Sequence, residues 1–176
     1  MIHRYYKCLC KKKKESLYGK KTLIFLVLIC AYVMSTEISL AKKAYVVKVI
    51  DGDSLLVQHE NGEKVQFRFY GIDSPEYDQP YSKAAKMYLQ NYLLGKTIHY
   101  TKVTRDKYGR YIVIVQYKGN IINEKLVTKG YAWVYPKYCK KKMCSKWKNL
   151  EKKAQKKKYG LWQEPTPVSP WTWRHK

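Results

Sequence analysis

The sequence is poor in acidic residues, with 13 Asp and Glu among 176 residues against 36 Lys and Arg. The formal charge of +23 makes polyanions the expected class of partner, namely nucleic acids, anionic lipids or acidic glycans. Long apolar runs are scarce too, since the sequence holds a single one, of twelve residues, from Leu23 to Met34. This excludes a protein with several membrane spans. Disorder of the whole chain is excluded because 45% of the residues are hydrophobic and 15% are aromatic.

The first 41 residues have the layout of a secretory signal peptide. Eight basic residues precede the apolar run, whose helix would rise roughly 18 Å, well short of the ~30 Å hydrocarbon core. The small residues of Ser39-Leu40-Ala41 follow, so we predict cleavage after Ala41 and a secreted or periplasmic protein. The basic stretch is long for a signal, and an uncleaved N-terminal membrane anchor is the alternative. In either case only this segment would meet a membrane.

Cysteine is scarce beyond the signal segment, where Cys139 and Cys144 are the two that remain. Four residues separate them, and in an exported chain this spacing suggests a local disulfide. A zinc site is the alternative, but zinc needs about four ligands. The nearest histidines, His99 and His175, lie more than thirty residues away from the pair. We therefore expect the disulfide.

The chain that follows the signal segment shows strand patterns first and helix patterns between and after them. Asn61-Gly62 favours a tight hairpin turn between the second and third strands. In the third strand, Val65, Phe67 and Phe69 alternate with polar residues, which predicts one buried face. The five predicted strands are residues 44–50, 54–59, 64–69, 97–103 and 111–117.

Three helices are predicted from apolar spacing and end signals. The first carries an apolar stripe from Tyr81 to Leu93, and the second is capped by Asn123 with Ile122 and Val127 as a hydrophobic staple. The third runs from about Ser145 to Tyr159. Together with the strands, this predicts an α+β, mainly β, fold: a five-stranded barrel with three helices over residues 42–162. We expect the Pro- and Trp-rich tail, residues 163–176, to be non-helical and to pack on the domain through its tryptophans.

Three short segments concentrate charged residues beside turns: VIDGDS at 49–54, FRFYGIDSPE at 67–76 and RDKYGR at 105–110. Each one alone would be an ordinary turn or a solvated surface. Together, in this order and spacing, they resemble the staphylococcal nuclease family, from about Ala44 to Trp162. The resemblance implies an oligonucleotide/oligosaccharide-binding (OB) barrel with three helices, in agreement with the pattern above. It also implies a calcium-dependent endonuclease that cleaves DNA and RNA to 3′-phosphates with little sequence specificity, and we expect a monomer.

The residue types in these segments suit that chemistry. A phosphodiester is anionic and repels hydroxide, so an enzyme that hydrolyses it must neutralise the phosphate and activate a water. Asp53 and Asp73 offer hard oxygen ligands for Ca²⁺, and the main-chain carbonyl of Ser74 would add a third. The guanidinium groups of Arg68 and Arg110 can hold phosphate oxygens and stabilise the charge that develops as water attacks.

The resemblance implies the roles of five further residues. Glu76 corresponds to the catalytic glutamate of the family, the general base toward the attacking water. Lys107 and Tyr108 correspond to nucleotide-contacting positions, and Tyr135 and Tyr138 to base-stacking tyrosines. The correspondence shifts near the last two, so either of these tyrosines is alternatively a core aromatic.

Two other hypotheses compete with a nuclease. A nucleic-acid-binding module of the same fold without catalysis would be marked by loss of Arg68, Glu76 or Arg110, and all three are present. A basic protein that binds membranes or the cell envelope by charge alone would not respond to Ca²⁺. Residues 137–158 hold eleven lysines and one acidic residue, which favours salt-sensitive affinity for polyanions under each hypothesis.

Overall fold

A computed structural model of the chain describes residues 41–175. Apart from Ala41, the predicted signal segment lies outside these residues, so cleavage, export and anchoring stay predictions. Over residues 41–175, no helix is both long and apolar enough to cross a membrane.

The described residues form eight strands and four α-helices. The strands are β1 Lys42–Val49, β2 Ser54–Gln58, β3 Lys64–Phe69, β4 Ile72–Asp73, β5 Thr97–Arg105, β6 Tyr111–Tyr117, β7 Asn120–Ile121 and β8 Trp133–Val134. The helices are α1 Ser82–Leu93, α2 Ile122–Thr128, α3 Met143–Lys156 and α4 Pro170–Trp173, and Gly160–Gln163 forms a 3₁₀ turn.

Five of the strands close into a barrel. Their order is β3-β2-β1-β5-β6, and β3 also pairs with β6 in parallel, which joins the two ends of the sheet. β7 pairs antiparallel with the end of β6. β4 and β8 pair with each other in a separate two-stranded ladder. The predicted fold class, a mainly β OB barrel with helices, is confirmed.

The barrel interior is filled by the alternate side chains of the strands. Leu55, Val57, Phe67, Ile98 and Val115 are all fully buried. In β3 the burial alternates residue by residue, as the sequence pattern predicts, and this leaves Arg68 on the other face. Full burial of each large apolar side chain stabilises the fold by about 1.5–3 kcal/mol.

α3 and the tail differ from the predictions. α3 begins at Met143, two residues before the predicted start, and ends at Lys156, three residues before the predicted end. The tail is not free of helix, because Pro170–Trp173 forms the single turn α4. Proline suits the first turn of a helix, since its missing N–H has no partner to lose there.

The prediction that Asn123 caps α2 is wrong. The helix begins at Ile122, two residues earlier than a cap at Asn123 would place it, with Ile121 as the N-cap and no side-chain capping bond. The Asn123 side chain is fully buried, accepts the Val115 N–H at 3.0 Å, and donates to the carbonyls of Tyr70 at 3.0 Å and Val113 at 3.2 Å. A buried polar group without a partner is costly, and these three bonds to backbone groups satisfy the Asn123 amide.

A disulfide joins Cys139, in the loop before α3, to Cys144, the second residue of α3, with the Cα atoms 5.7 Å apart. This loop packs closely on the end of β3. A Cβ atom at Gly71 would lie 2.7 Å from the Cys139 Sγ, and Gly71 has a φ of +71°. Both the close approach and the left-handed backbone require glycine at this position.

Candidate active site

The loop between β1 and β2 carries Asp53 into the protein interior. The Asp51 carboxylate accepts the backbone N–H of Asp53 at 3.0 Å, which holds the turn in a form typical of Asp. Asp53 is fully buried, and its Oδ2 accepts the backbone N–H of Ser74 at 2.6 Å. Gly52 permits this approach, because a Cβ atom there would lie 2.7 Å from the Ser74 Cβ. Two of the predicted motifs therefore meet at this point.

Arg68 lies between the two aspartates predicted as metal ligands. Its guanidinium forms ion pairs with Asp53 and with Asp73, which follows β3 as the last residue of β4. Both carboxylates are buried, whereas the Arg68 side chain keeps 18% of its surface exposed. Because a buried charge needs a counter-charge, this one arginine stabilises both acids and makes their oxygens converge.

Glu76 lies in the loop after β4, beside this cluster. Its backbone N–H donates to the Gln79 side chain at 3.1 Å, and one third of its own side chain is exposed. Arg174, from the tail just after α4, pairs with Glu76 and also with Asp73, at 2.8 Å between Nη2 and Oδ2. Glu76 is thus both open to solvent and held by an arginine that was not among the predicted site residues.

The environment of Arg174 favours its protonated, positively charged form. Burial alone would lower the pKa of Arg174, but hydrogen bonds and charge attraction from Asp73, and then from Glu76, raise the pKa above its ordinary value. Arg174 lies 98 and 101 residues from its two partners in the sequence. No local pattern could have placed it there, although an arginine at the end of a Trp-rich segment gave a weak signal.

Arg110 immediately precedes β6, the strand that pairs in parallel with β3 and in which Ile112 is in register with Arg68. Its Nε donates to the Asp106 Oδ2 at 2.7 Å. Burial raises the pKa of Asp106, but hydrogen bonds and charge attraction from Arg110 outweigh it and hold this pKa below its ordinary value. The structure thus places Arg110 two residues before the position in register with Arg68 and pairs it with Asp106.

Lys107 and Tyr108 lie at the tip of the turn between β5 and β6. The Tyr108 side chain is 72% exposed, and its backbone N–H donates to Asp106 at 3.0 Å. The cationic groups of Lys107 and Arg110 lie 5.0 and 5.5 Å from the centre of the Tyr108 ring. This turn therefore presents an aromatic ring and two cations to solvent.

Tyr135 and Tyr138 differ in their surroundings. The Tyr135 ring stacks on Trp171, with centroids 4.8 Å apart, and meets the Tyr138 ring edge-on at 4.8 Å. Tyr138 is 55% exposed. The open ring of the pair is therefore Tyr138.

The donor set suits a hard divalent cation. Asp53 and Asp73 are buried carboxylates whose oxygens converge on one guanidinium, and the carbonyl of Ser74 belongs to the segment bonded to Asp53. Carboxylate and carbonyl oxygens are the ligands that Ca²⁺ prefers. Over residues 41–175, no group of three or more His, Cys, Asp or Glu is arranged to hold a metal, and the two aspartates are balanced by Arg68 and Arg174.

A closed five-stranded barrel with acids and arginines gathered at one edge defines the class of OB-fold proteins with a polar, phosphate-compatible site. A family model described as "Staphylococcal nuclease homologue" matches residues 66–164. The chain belongs to the staphylococcal nuclease family.

Several curated proteins are similar to the chain. An uncharacterized endonuclease of Escherichia coli is 35% identical over 132 residues, which cover 74% of the chain and 84% of that protein. The micrococcal nuclease of Shigella flexneri is 32% identical over 138 residues, or 73% of the chain and 78% of that protein. An uncharacterized 38.1 kDa protein of Capnoides sempervirens is 36% identical over 131 residues, but the match spans only 38% of its length.

Proposed function

We propose that the protein is a calcium-dependent endonuclease that hydrolyses phosphodiester bonds of DNA and RNA and leaves 3′-phosphates. The observation that carries the proposal is the convergence of two buried aspartates on Arg68, with Glu76 joined to Asp73 through Arg174. Membership in a nuclease family and the printed names of the bacterial relatives support the hydrolysis of phosphodiester bonds.

In this proposal, Arg68 and Arg110 hold the scissile phosphate. Arg68 lies in β3, Arg110 immediately precedes the paired strand β6, and each keeps part of its side chain exposed. Their donors can bond to phosphate oxygens and neutralise the charge that repels an attacking water. They also stabilise the additional charge that develops at phosphorus during attack.

Glu76 takes the proton of the attacking water. Its carboxylate is one third exposed, so water can reach it from solvent. As the oxygen of the water bonds to phosphorus, its proton passes to Glu76. The bond from phosphorus to the 5′-oxygen breaks, and the 5′-oxygen leaves with the electron pair and takes a proton from solvent water to become a hydroxyl. The phosphate then stays on the 3′ side.

Asp53, Asp73 and the carbonyl of Ser74 would hold the Ca²⁺ ion. When bound, Ca²⁺ supplies positive charge that polarises the phosphate and makes a nearby water more acidic. The same two aspartates also hold Arg68 in place through ion pairs, so they have a second role besides binding the metal.

Low sequence specificity follows from the kind of contact that the site offers. Lys107 would pair with a phosphate, and Tyr108 and Tyr138 present exposed rings on which any base can stack. Phosphate and stacking contacts carry little information about base identity. We therefore expect cleavage of single-stranded DNA and RNA of varied sequence.

The test is cleavage of end-labelled DNA and RNA oligonucleotides by the purified full chain. We expect cleavage of both with Ca²⁺, none in excess chelator, and recovery when Ca²⁺ is restored. Product ends that block polymerase extension until a phosphatase is added would support 3′-phosphates. Binding without cleavage in Ca²⁺ would favour the non-catalytic module, and full activity in chelator would contradict the metal dependence.

We also propose that the protein is exported through its N-terminal segment. The support is the order of basic, short apolar and small residues before Lys42. N-terminal sequencing of protein recovered outside the cytoplasm should give Lys42 as the first residue. An intact Met1 on membrane-bound protein would show the anchored alternative instead.

A further inference from the structure

The C-terminal tail is attached to the loop that carries Glu76. Two hydrogen bonds join them: the Gln79 side chain donates to the Val168 carbonyl at 2.6 Å, and the Trp173 indole donates to Asp78 at 2.9 Å. Trp171 adds the stacking contact with Tyr135. These contacts place the end of the tail beside the site independently of any charge on Arg174.

Arg174 bridges two acidic side chains of the site. One of its terminal nitrogens contacts Glu76, and the other lies 2.8 Å from Asp73. Asp73 is almost completely buried, whereas Glu76 and Arg174 are 33% and 39% exposed. A guanidinium has a planar, rigid arrangement of donors, so bonding to both acids fixes the distance between them.

A base on a loop gains from such a partner. Glutamate has three rotatable side-chain bonds, and a catalytic group must be held within about 0.5 Å of its working position. The loop fixes the backbone of Glu76 through Gln79, and Arg174 supplies the contact to its carboxylate. The contacts of Arg174 run to the Glu76 carboxylate and to Asp73, and this bridge fits an orienting role toward Glu76.

Resting on the proposed nuclease function, we propose that Arg174 is a positioning residue of the active site, which holds the Glu76 carboxylate beside Asp73. The tail is then part of the catalytic apparatus and not an appendage. A tail that merely covered Glu76 would have the opposite effect on the rate, because its removal would free the base.

The test compares Arg174→Ala and Arg174→Lys with the wild-type chain in Ca²⁺. For Arg174→Ala we expect kcat to fall by roughly 100-fold, as displaced catalytic groups commonly cause, with KM within about threefold of wild type. Arg174→Lys should recover part of the rate, because an ammonium can pair with one acid but cannot form the fork to both. Added guanidinium ion should raise the rate of Arg174→Ala and leave Glu76→Gln inactive.

A second measurement does not depend on turnover. In chelator, the affinity of Arg174→Ala for a labelled oligonucleotide should match that of Lys43→Ala, an equal loss of charge on an exposed residue at the far end of β1. Melting temperatures of all variants would show the folded fraction, to which each kcat is normalised. Both controls keep the comparison free of general charge and folding effects.

The outcomes separate the proposals. An unchanged or raised kcat in Arg174→Ala would overturn the positioning role, and a selective loss of oligonucleotide affinity would show a phosphate-binding role in its place. If Arg174→Ala fails to fold, Arg174→Lys with unchanged kcat overturns the inference by itself. A wild-type chain that does not cleave in Ca²⁺ would instead contradict the proposed function.

Discussion

The indole ring of Trp171 stacks on the phenol ring of Tyr135, with centroids 4.8 Å apart and planes 7° from parallel. Tyr138 meets Tyr135 edge-on from another side. A ring face that protein already covers is not available to a nucleobase. Of the two tyrosines that the sequence left as equal candidates, Tyr138 therefore suits stacking, and Tyr135 suits attachment of the tail.

We predict that substitution of Tyr138 weakens nucleic-acid binding, whereas substitution of Tyr135 lowers the stability of the fold. Tyr138→Ala should weaken the binding of a single-stranded oligonucleotide by about 1–3 kcal/mol, the usual contribution of one stacked base, with little change in melting temperature. Tyr135→Ala should chiefly lower the melting temperature, because it removes the partner of Trp171. Fluorescence anisotropy in chelator and thermal denaturation measure the two effects. Equal losses of affinity in both variants would contradict the distinction.

We predict that Glu76→Gln abolishes cleavage and preserves binding. The amide has the size of the carboxylate but cannot take a proton from water, and loss of a general base commonly costs about 10²–10⁴ in rate. Single-turnover cleavage in Ca²⁺ and oligonucleotide affinity in chelator are the measurements. Glu60→Gln, in the exposed turn after β2, is the charge-matched control. Wild-type turnover in Glu76→Gln would contradict the mechanism.

We predict that the Cys139–Cys144 disulfide stabilises the fold without taking part in catalysis. Closing so short a loop contributes about 2 kcal/mol to the free energy of unfolding in the chain-entropy model. Urea denaturation with and without reductant should show this loss in the wild-type chain. The double Cys→Ser variant should be insensitive to reductant and keep its kcat per folded molecule. If reductant lowered the free energy of unfolding of this variant as much as that of wild type, the loss would not come from the Cys139–Cys144 disulfide, and the prediction would be wrong.

The parts of the fold that follow local rules were predictable from the sequence. In β3, Val65, Phe67 and Phe69 are buried and alternate with more exposed polar residues, as their spacing predicted. β2 and β3 form a hairpin at Asn61-Gly62, as predicted, with Gly62 at a φ of +83°. The turn differs from the tight one expected, because Asn61 does not take a positive φ and the Gly62 N–H donates to the His59 carbonyl at 2.9 Å. The order and spacing of the three charged motifs were enough to predict the family. The structure joins the first two motifs through the contacts of Asp53 with Arg68 and Ser74.

Contacts that join distant parts of the chain were not predictable. Asparagine before a helical pattern usually caps it, yet Asn123 is buried and bonds to strand groups that no local pattern reveals. Arg174 is a stronger case, since its partners are about a hundred residues earlier in the chain. Its place depends on how the tail packs, which follows from tertiary contacts of Trp171 and Trp173.

Glu151 provides the basis for a prediction about pH. It is the one acidic residue of 137–158, where all eleven lysines are exposed, and its carboxylate points inward to accept the Val134 N–H at 2.8 Å. Burial raises the pKa of Glu151, and the Val134 hydrogen bond and the charge of Lys148 only partly oppose this. Between the ordinary glutamate pKa of about 4.3 and the raised value, the folded state binds more protons than the unfolded state.

The contribution of Glu151 to the free energy of unfolding therefore falls as the pH rises through this window. Glu151→Gln keeps an oxygen that can accept the Val134 N–H but does not titrate. We expect this variant to gain melting temperature relative to wild type as the pH goes from about 4 to about 7, with Glu60→Gln as the control for loss of one negative charge. Thermal denaturation across that range measures the difference. A difference that shrinks with rising pH would show that the folded protein favours the charged form of Glu151.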